Sequence, residues 1–446
     1  MEENEYTPVC ELFPNASSVR ASAHWRQLKR TAPPWYNRGM IQRNTCFANL
    51  TAGYLFPEVA RRRAEYAKNH PDAKLISLSI GNTTEPLPRC IAQAMADYAL
   101  GLSTPEGYSG YGEDLGSTEL RKKIAETFYS GLATFEEVFI SDGAKCDIAR
   151  LQTLFGRNAG VAVQDPAYPV YVDGSVIAGA AGKNGGSGYD GITYMPCTPE
   201  NNFFPDLSAV PKNSIIYFCS PNNPTGAAAT KEELARLVDF ANKNGCIIVF
   251  DAAYREFIRD PALPKTIFEI EGARTCAIEV NSFSKPAGFT GVRLGWSVVP
   301  SELKFADGTP VMQDWTRVAT TLFNGASNIA QAGGIAALEP QGIAAMKSVI
   351  DYYLENVQTI CRTLEGGSFK QAGVKIYSTG NSPYVWAQFP GRKSWDVFDL
   401  LLERCSVVTT PGSGFGPAGE SFVRFSSFGH HADVEEACRR LAALQF

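Results

Sequence analysis

Histidine is nearly missing from this chain of 446 residues: there are four, His24, His70, His430 and His431, and none between Pro71 and Gly429. Imidazole is the commonest general base and a frequent metal ligand, so a site in that span has to work with other groups. Ser-His-Asp or Cys-His nucleophilic catalysis and His-bearing zinc sites are disfavoured, and no metal centre is expected. The eleven cysteines include no C-x-x-C pair. An odd, dispersed set fits a reducing compartment, where thiols pack as small apolar groups. Cys146 adjoins a candidate site, although a place in the first turn of a helix explains it as well. No apolar run is long enough to span a bilayer, which sets membrane partners aside. A basic excess is lacking too: 46 Asp and Glu against 41 Lys and Arg leave a formal charge of −5, which argues against a nucleic-acid partner. With 44% hydrophobic and 20% charged residues, the composition is that of a soluble globular protein of two or three domains.

Acids are missing locally as well. After Glu2, Glu3, Glu5 and Glu11, none occurs from Leu12 to Pro57, while Arg20, Arg26, Lys29, Arg30, Arg38 and Arg43 do. Such a basic leader resembles a transit peptide, although its acidic first residues do not fit. A soluble protein of the plastid (the chloroplast stroma) is expected for a plant or algal source, and of the cytoplasm otherwise.

From Leu75 onward, short runs rich in Val and Ile alternate with helical patterns, which predicts an α/β fold. The clearest strands are Glu137–Ser141, Val161–Gln164, Ser214–Cys219, Cys246–Phe250, Cys276–Asn281 and Arg293–Val299. A helix is expected over Lys231–Asn244, opened by a Thr230/Glu233 capping box and closed by Gly245. Pro383–Phe389 and Phe422–Ser426 read as strands of a second domain, and Gly179–Gly191, with six glycines in thirteen positions, as a mobile loop.

Four features fall at carboxyl ends of predicted strands, the edge where ligands bind in open α/β sheets. Ser141-Asp142-Gly143-Ala144-Lys145 leads into the helix Cys146–Phe155, whose N-terminus suits an anion. Ser220-Pro221-Asn222-Asn223-Pro224-Thr225-Gly226 holds an asparagine in a stiff loop, and is equally compatible with an ordinary turn. Asp251 ends the apolar run Cys246–Phe250, with Tyr254 three residues on; a carboxylate buried there needs a cationic partner. A structural Arg or Lys could serve, and so could a protonated pyridine nitrogen. Ser282-Phe283-Ser284-Lys285, followed by Arg293 between Gly291 and Gly295, is poor packing. It suits a Schiff-base lysine beside a phosphate clamp. Together these residues meet the needs of pyridoxal 5'-phosphate: an amine, an anion site, a carboxylate for the ring nitrogen and donors to the phenolic oxygen. The lysine also serves as proton shuttle, so no histidine is required.

Asn-Pro-Thr-Gly, Asp-x-x-Tyr and Ser-Phe-Ser-Lys with its following Arg resemble the fold-type I, class I/II aminotransferases. Longer runs, Gly53–Glu58, Gly107–Gly112, Ser141–Cys146, Phe323–Asn328 and Pro411–Gly416, resemble the diaminopimelate branch of that family. The resemblance implies a mostly parallel central sheet with helices on both faces plus a smaller α/β domain. It implies a leader over 1–45, an arm and part of the small domain over 46–80, a large cofactor-binding domain over 81–328 and a small domain over 329–446. It assigns Lys285 as the covalent anchor and proton shuttle, Asp251 to the pyridine nitrogen, and Asn223 and Tyr254 to the phenolic oxygen. Ser282, Ser284, Arg293 and the Ala144–Lys145 backbone would grip the phosphate with Tyr111 from a partner subunit, and Tyr168 would stack on the ring. Arg424 would take the substrate α-carboxylate, with Gly81, Tyr168 and Asn223 alongside. Tyr54, Lys145, Asn324 and an acid from the neighbouring subunit would read the distal end. Asp114 falls in register for that acid, with Glu113 as the alternative. Lys145 stands where a related plant protein, which serves immune signalling through lysine-derived products, carries glutamine.

The expected activity is amino transfer between LL-diaminopimelate and 2-oxoglutarate in lysine biosynthesis, by a homodimer with shared sites. Transfer from another amino acid such as lysine, or a lyase on the same scaffold, would use the same cofactor residues. A cofactor-sensing regulator would need a DNA-binding domain that the short leader does not supply.

Overall fold

The computed structural model describes residues 41, 43–50, 55–79, 81–186 and 188–446. Cys46–Phe446 forms one unit, and everything below lies within it. Its centre is a seven-stranded sheet made of β1 (Val138–Ser141), β2 (Gly160–Asp165), β3 (Ile192–Pro196), β4 (Ser214–Cys219), β5 (Ile247–Asp251), β6 (Ala277–Ser282) and β7 (Gly295–Val298). The order across the sheet is β1-β7-β6-β5-β4-β2-β3. All pairings are parallel except those of β7, which runs against both of its neighbours.

The central strands are apolar on both faces because both faces are covered. In β4 every residue is buried. Tyr217 and Cys219 enter one core with Leu151 and Tyr171, while Ile216 and Phe218 enter the other with Leu237 and Val238. Three helices carry those partners: α1 (Ala144–Phe155), α2 (Val170–Ala178) and α3 (Lys231–Asn244). The last has the predicted bounds. Thr230 Oγ1 accepts from the Glu233 N–H at 3.2 Å, Glu233 Oε2 accepts from the Thr230 N–H at 2.8 Å, and Gly245 closes it at φ 64°.

A smaller four-stranded antiparallel sheet contains β8 (Tyr384–Gln388) and β9 (Phe422–Ser426), flanked by Lys375–Tyr377 and Thr410–Pro411. Ile76–Ser77 pairs with Val407–Val408. Beyond it, the Leu78 carbonyl accepts from the Ser426 N–H at 2.8 Å, which ties Leu78 to the strand that carries Arg424.

The Gly-rich stretch leads into an edge strand that the sequence pattern did not single out, β3, half-buried in the middle of its run. The pair His430-His431, which the sequence placed in a surface loop after the Phe422–Ser426 strand, instead opens the helix His431–Ala442. His430 Nδ1 lies 3.0 Å from Glu85 Oε1, and the His431 ring sits over Tyr352 at 3.6 Å. Among the described residues, no helix is long and apolar enough to cross a membrane, and no group of three or more His, Cys, Asp or Glu could hold a metal ion.

Candidate active site

The antiparallel turn of β7 explains how the site is assembled. Parallel strands bring their carboxyl ends to one edge, and β7 presents its beginning there. Ser282, ending β6, pairs with Gly295, starting β7, so Arg293 lands beside the Ser282–Lys285 loop. A cavity of about 290 Å³ opens at this edge. Its walls include Gly81, Ala144, Lys145, Tyr168, Asn223, Asp251, Tyr254, Ser282, Ser284, Lys285, Arg293 and Arg424, all drawn together from the sequence reading.

Lys285 lies deep in this cavity and donates to the Gly81 carbonyl. Burial, helped by the charges of Arg424 and Arg293, pulls its ammonium down to about 8. Roughly one amine in ten is then neutral at pH 7, the form that can act as nucleophile or base. A Cβ on Gly81 would sit 2.5 Å from the Tyr384 hydroxyl, so this wall of the cavity has no space for a side chain.

Asp251 is buried at the end of β5. Burial pushes its carboxyl up, against a 2.7 Å hydrogen bond from the Tyr171 hydroxyl to Oδ2 and a 3.0 Å bond from the Ala253 N–H to Oδ1. Both partners are neutral. The Lys285 charge acts on Asp251 without a hydrogen bond, so the buried carboxylate still lacks a cationic hydrogen-bond partner.

The opposite wall is built for an anion. Gly143 caps α1 without a side chain, leaving the first N–H groups of that helix without an intrahelical acceptor. Its φ of 123° is a conformation suited to glycine, and a Cβ there would sit 2.4 Å from Arg293 Nη2. Arg293 holds φ at 70°, a left-handed backbone that costs a side-chain-bearing residue about 1–3 kcal/mol. Its guanidinium reaches the Ser284 hydroxyl at 3.4 Å and the Thr290 carbonyl at 3.2 Å, neither of them an acid. Ser282 donates to Ser284 at 2.8 Å. Cys146 beside this wall is a first-turn residue whose thiol burial pushes up, away from reactivity.

Arg424, on β9, is 1% exposed. Nη1 donates to Asn223 Oδ1 and Nη2 to the Ser79 carbonyl, each at 2.5 Å, and its Nε has no hydrogen-bond partner. The Tyr384 and Phe415 rings flank it at 4.3 and 4.8 Å. A guanidinium so enclosed, with neutral partners only, is set for a carboxylate. Because Asn223 Oδ1 must accept from Arg424, its Nδ2 donors are the end left for a ligand. The Tyr254 hydroxyl lies 2.7 Å from that of Tyr384.

Two contributors went unread in the sequence. Tyr171 follows Tyr168 by three residues, and Tyr384 opens β8; each sits in a pattern that describes core packing equally well. Other expected residues lie elsewhere. Tyr111 is 90% exposed, Asp114 and Asn324 are exposed, and none of the three lines this cavity. Glu113 accepts from the Thr118 N–H and hydroxyl at 2.8 and 2.5 Å, capping the helix Thr118–Ile124. Tyr54 is outside the described residues.

A sheet edge joining a buried lysine, a strand-end carboxylate and an anion cradle defines a known class of transferase, and the chain belongs to it: the model of the aminotransferase class I and II family matches residues 73–441. Within the family, the chain is 58% identical over 407 residues to a probable chloroplastic LL-diaminopimelate aminotransferase of Oryza sativa subsp. japonica, covering 91% of this chain and 86% of that protein. It is 56% identical over 407 residues to the chloroplastic LL-diaminopimelate aminotransferase of Arabidopsis thaliana, covering 91% and 87%. The solved L,L-diaminopimelate aminotransferase of Chlamydomonas reinhardtii superposes with a TM-score of 0.86 at 58% identity, covering 90% of this chain and 98% of that one.

The cofactor of the family is pyridoxal 5'-phosphate, and the donor set fits it. Asp251 has only neutral hydrogen-bond donors and would gain a cationic one from a pyridinium, the Gly143–Arg293 wall suits an anion, and Lys285 supplies the amine.

Proposed function

We propose that this chain moves an amino group reversibly between LL-2,6-diaminopimelate and 2-oxoglutarate, giving tetrahydrodipicolinate and glutamate, in a ping-pong cycle of lysine biosynthesis. The observation that carries the reading is Arg424, a buried guanidinium without an anion, in one cavity with Lys285 and Asp251. Identity of 56–58% to proteins named for this reaction supports the choice of substrate.

Arg424 binds the substrate α-carboxylate as a bidentate pair and fixes the Cα–H bond relative to Lys285. Lys285, neutral in part at working pH, takes the proton from Cα and returns it. Pyridoxal phosphate supplies the electron sink for the charge left at Cα, and Asp251 keeps a positive charge at the ring nitrogen stable. Asn223 and Tyr254 donate at the phenolic oxygen. Ser282, Ser284, Arg293 and the N–H groups of Ala144 and Lys145 hold the phosphate, and Tyr168 stacks on the ring.

The distal ammonium and carboxylate of the substrate are read by Lys145, Tyr54, Asn324 and the acid at 114. Glu113 is occupied as a helix cap, which favours Asp114. The exposed placement of Tyr111, Asp114 and Asn324, with Leu100 and Tyr108 each 70% exposed nearby in sequence, supports a homodimer that completes each site from its neighbour. Plastid residence follows the chloroplastic relatives. Lys145→Gln tests the substrate assignment: KM for LL-diaminopimelate should rise about tenfold or more, with KM for glutamate little changed. An equal effect on both substrates would sink the distal role of Lys145.

A further inference from the structure

We propose that Tyr171 is a positioning residue: it fixes the Asp251 carboxylate toward the cofactor's ring nitrogen, so that the proton shared between them stays on nitrogen. The inference rests on the reading that Asp251 faces that nitrogen.

Tyr171 is fully buried, and its hydroxyl donates to Asp251 Oδ2 at 2.7 Å. Its ring is clamped, stacked on Tyr217 at 5.2 Å and 7° and edge-on to Tyr168 at 5.9 Å and 88°. Its carbonyl accepts from the Ser175 hydroxyl at 2.7 Å and from Gln152 Nε2 at 3.3 Å. Neither end of the residue is free to shift. A single helix start therefore carries Tyr168, on the cavity wall, and the donor that orients the carboxylate.

The chemistry follows from counting lone pairs. Each Asp251 oxygen accepts one protein hydrogen bond, from Tyr171 or from Ala253, and each keeps one acceptor position. A neutral donor stabilises the ionised carboxyl more than the protonated one. With Tyr171 in place, the carboxylate remains the anion and the proton rests on the ring nitrogen. Without it, burial favours the neutral acid, and the proton moves to oxygen. Cys219, paired with Asp251 across the sheet, directs its thiol to the Pro221 carbonyl at 3.2 Å, and the Lys285 charge acts on the carboxyl without a hydrogen bond.

The test uses holoenzyme loaded with cofactor labelled with ¹⁵N in the ring, read by NMR, together with the cofactor dissociation constant. Tyr171→Phe keeps the stacked ring and removes only the hydroxyl. The ring nitrogen signal should move from the protonated toward the unprotonated position, and the dissociation constant should rise about tenfold. A fluorinated tyrosine at 171, a stronger donor, should restore the protonated signal. An unmoved signal in Tyr171→Phe overturns the inference, even if binding weakens, because a packing role alone would weaken binding. Asp251→Asn separates the two levels. If it moves the signal and Tyr171→Phe does not, only the role of Tyr171 fails. If neither moves it, Asp251 does not face the nitrogen.

Discussion

Lys285, partly buried, and Arg424, fully buried, are cations whose hydrogen-bond partners are neutral, and that shared feature governs what each can do. Burial holds Lys285 at about 8, so its neutral fraction grows as pH rises through that value and is small below pH 7. Slow acylation of cofactor-free protein, mapped by mass spectrometry, should show Lys285 labelling with a midpoint near 8. A midpoint close to that of exposed lysines, about 10.4, would remove the case for a poised base. Lys285→Ala should abolish turnover while cofactor still binds non-covalently. The polar site residues were legible in the sequence because a Lys, Asp or Arg closing an apolar run has no cheap burial. Tyr171 and Tyr384 were not, since a tyrosine in an apolar pattern reads as core and its hydroxyl partner lies far away in sequence.

At the scale of elements, the site depends on strand direction. β7 reads as a strand in the sequence, but a period of two carries no sense of direction, so its antiparallel run was not predictable. That run brings Arg293 to the phosphate wall, where it keeps φ at 70°. The strain and the function are separable. Arg293→Ala retains the left-handed backbone and loses the guanidinium; Arg293→Gly loses the guanidinium and relieves the strain. Both should bind cofactor weakly, yet without cofactor the glycine variant should be the more stable, by about 1 kcal/mol in denaturant unfolding. Equal stabilities would mean that the backbone at 293 is unstrained. The helix at 231–244 was legible to the residue because its cap and stop are local side-chain chemistry. The edge strand β3 was not, because its pairing with β2 is long-range and only part of it is buried.

For the whole molecule, most of the expected cofactor residues gather within one chain, whereas Tyr111, expected at the phosphate, and the distal residues Asp114 and Asn324 do not join them. Lys285, Asp251, Asn223, Arg293 and Arg424 share one cavity, whereas Tyr111, Asp114 and Asn324 lie outside it. On the proposed function a homodimer would supply those residues across its interface, and sedimentation at twice the 48.4 kDa chain mass is the check. Quaternary completion is invisible to sequence periodicity, which records burial within a chain but not which chain provides the cover. The most direct test of the account is a single half-reaction. Holoenzyme mixed with LL-diaminopimelate and no oxo acid should convert its absorbance from the aldehyde to the amine form of the cofactor, and 2-oxoglutarate should restore it. Lysine, aspartate and meso-diaminopimelate should do so far more slowly. Release of ammonia or pyruvate without the amine form, or an unchanged spectrum with LL-diaminopimelate, would contradict it.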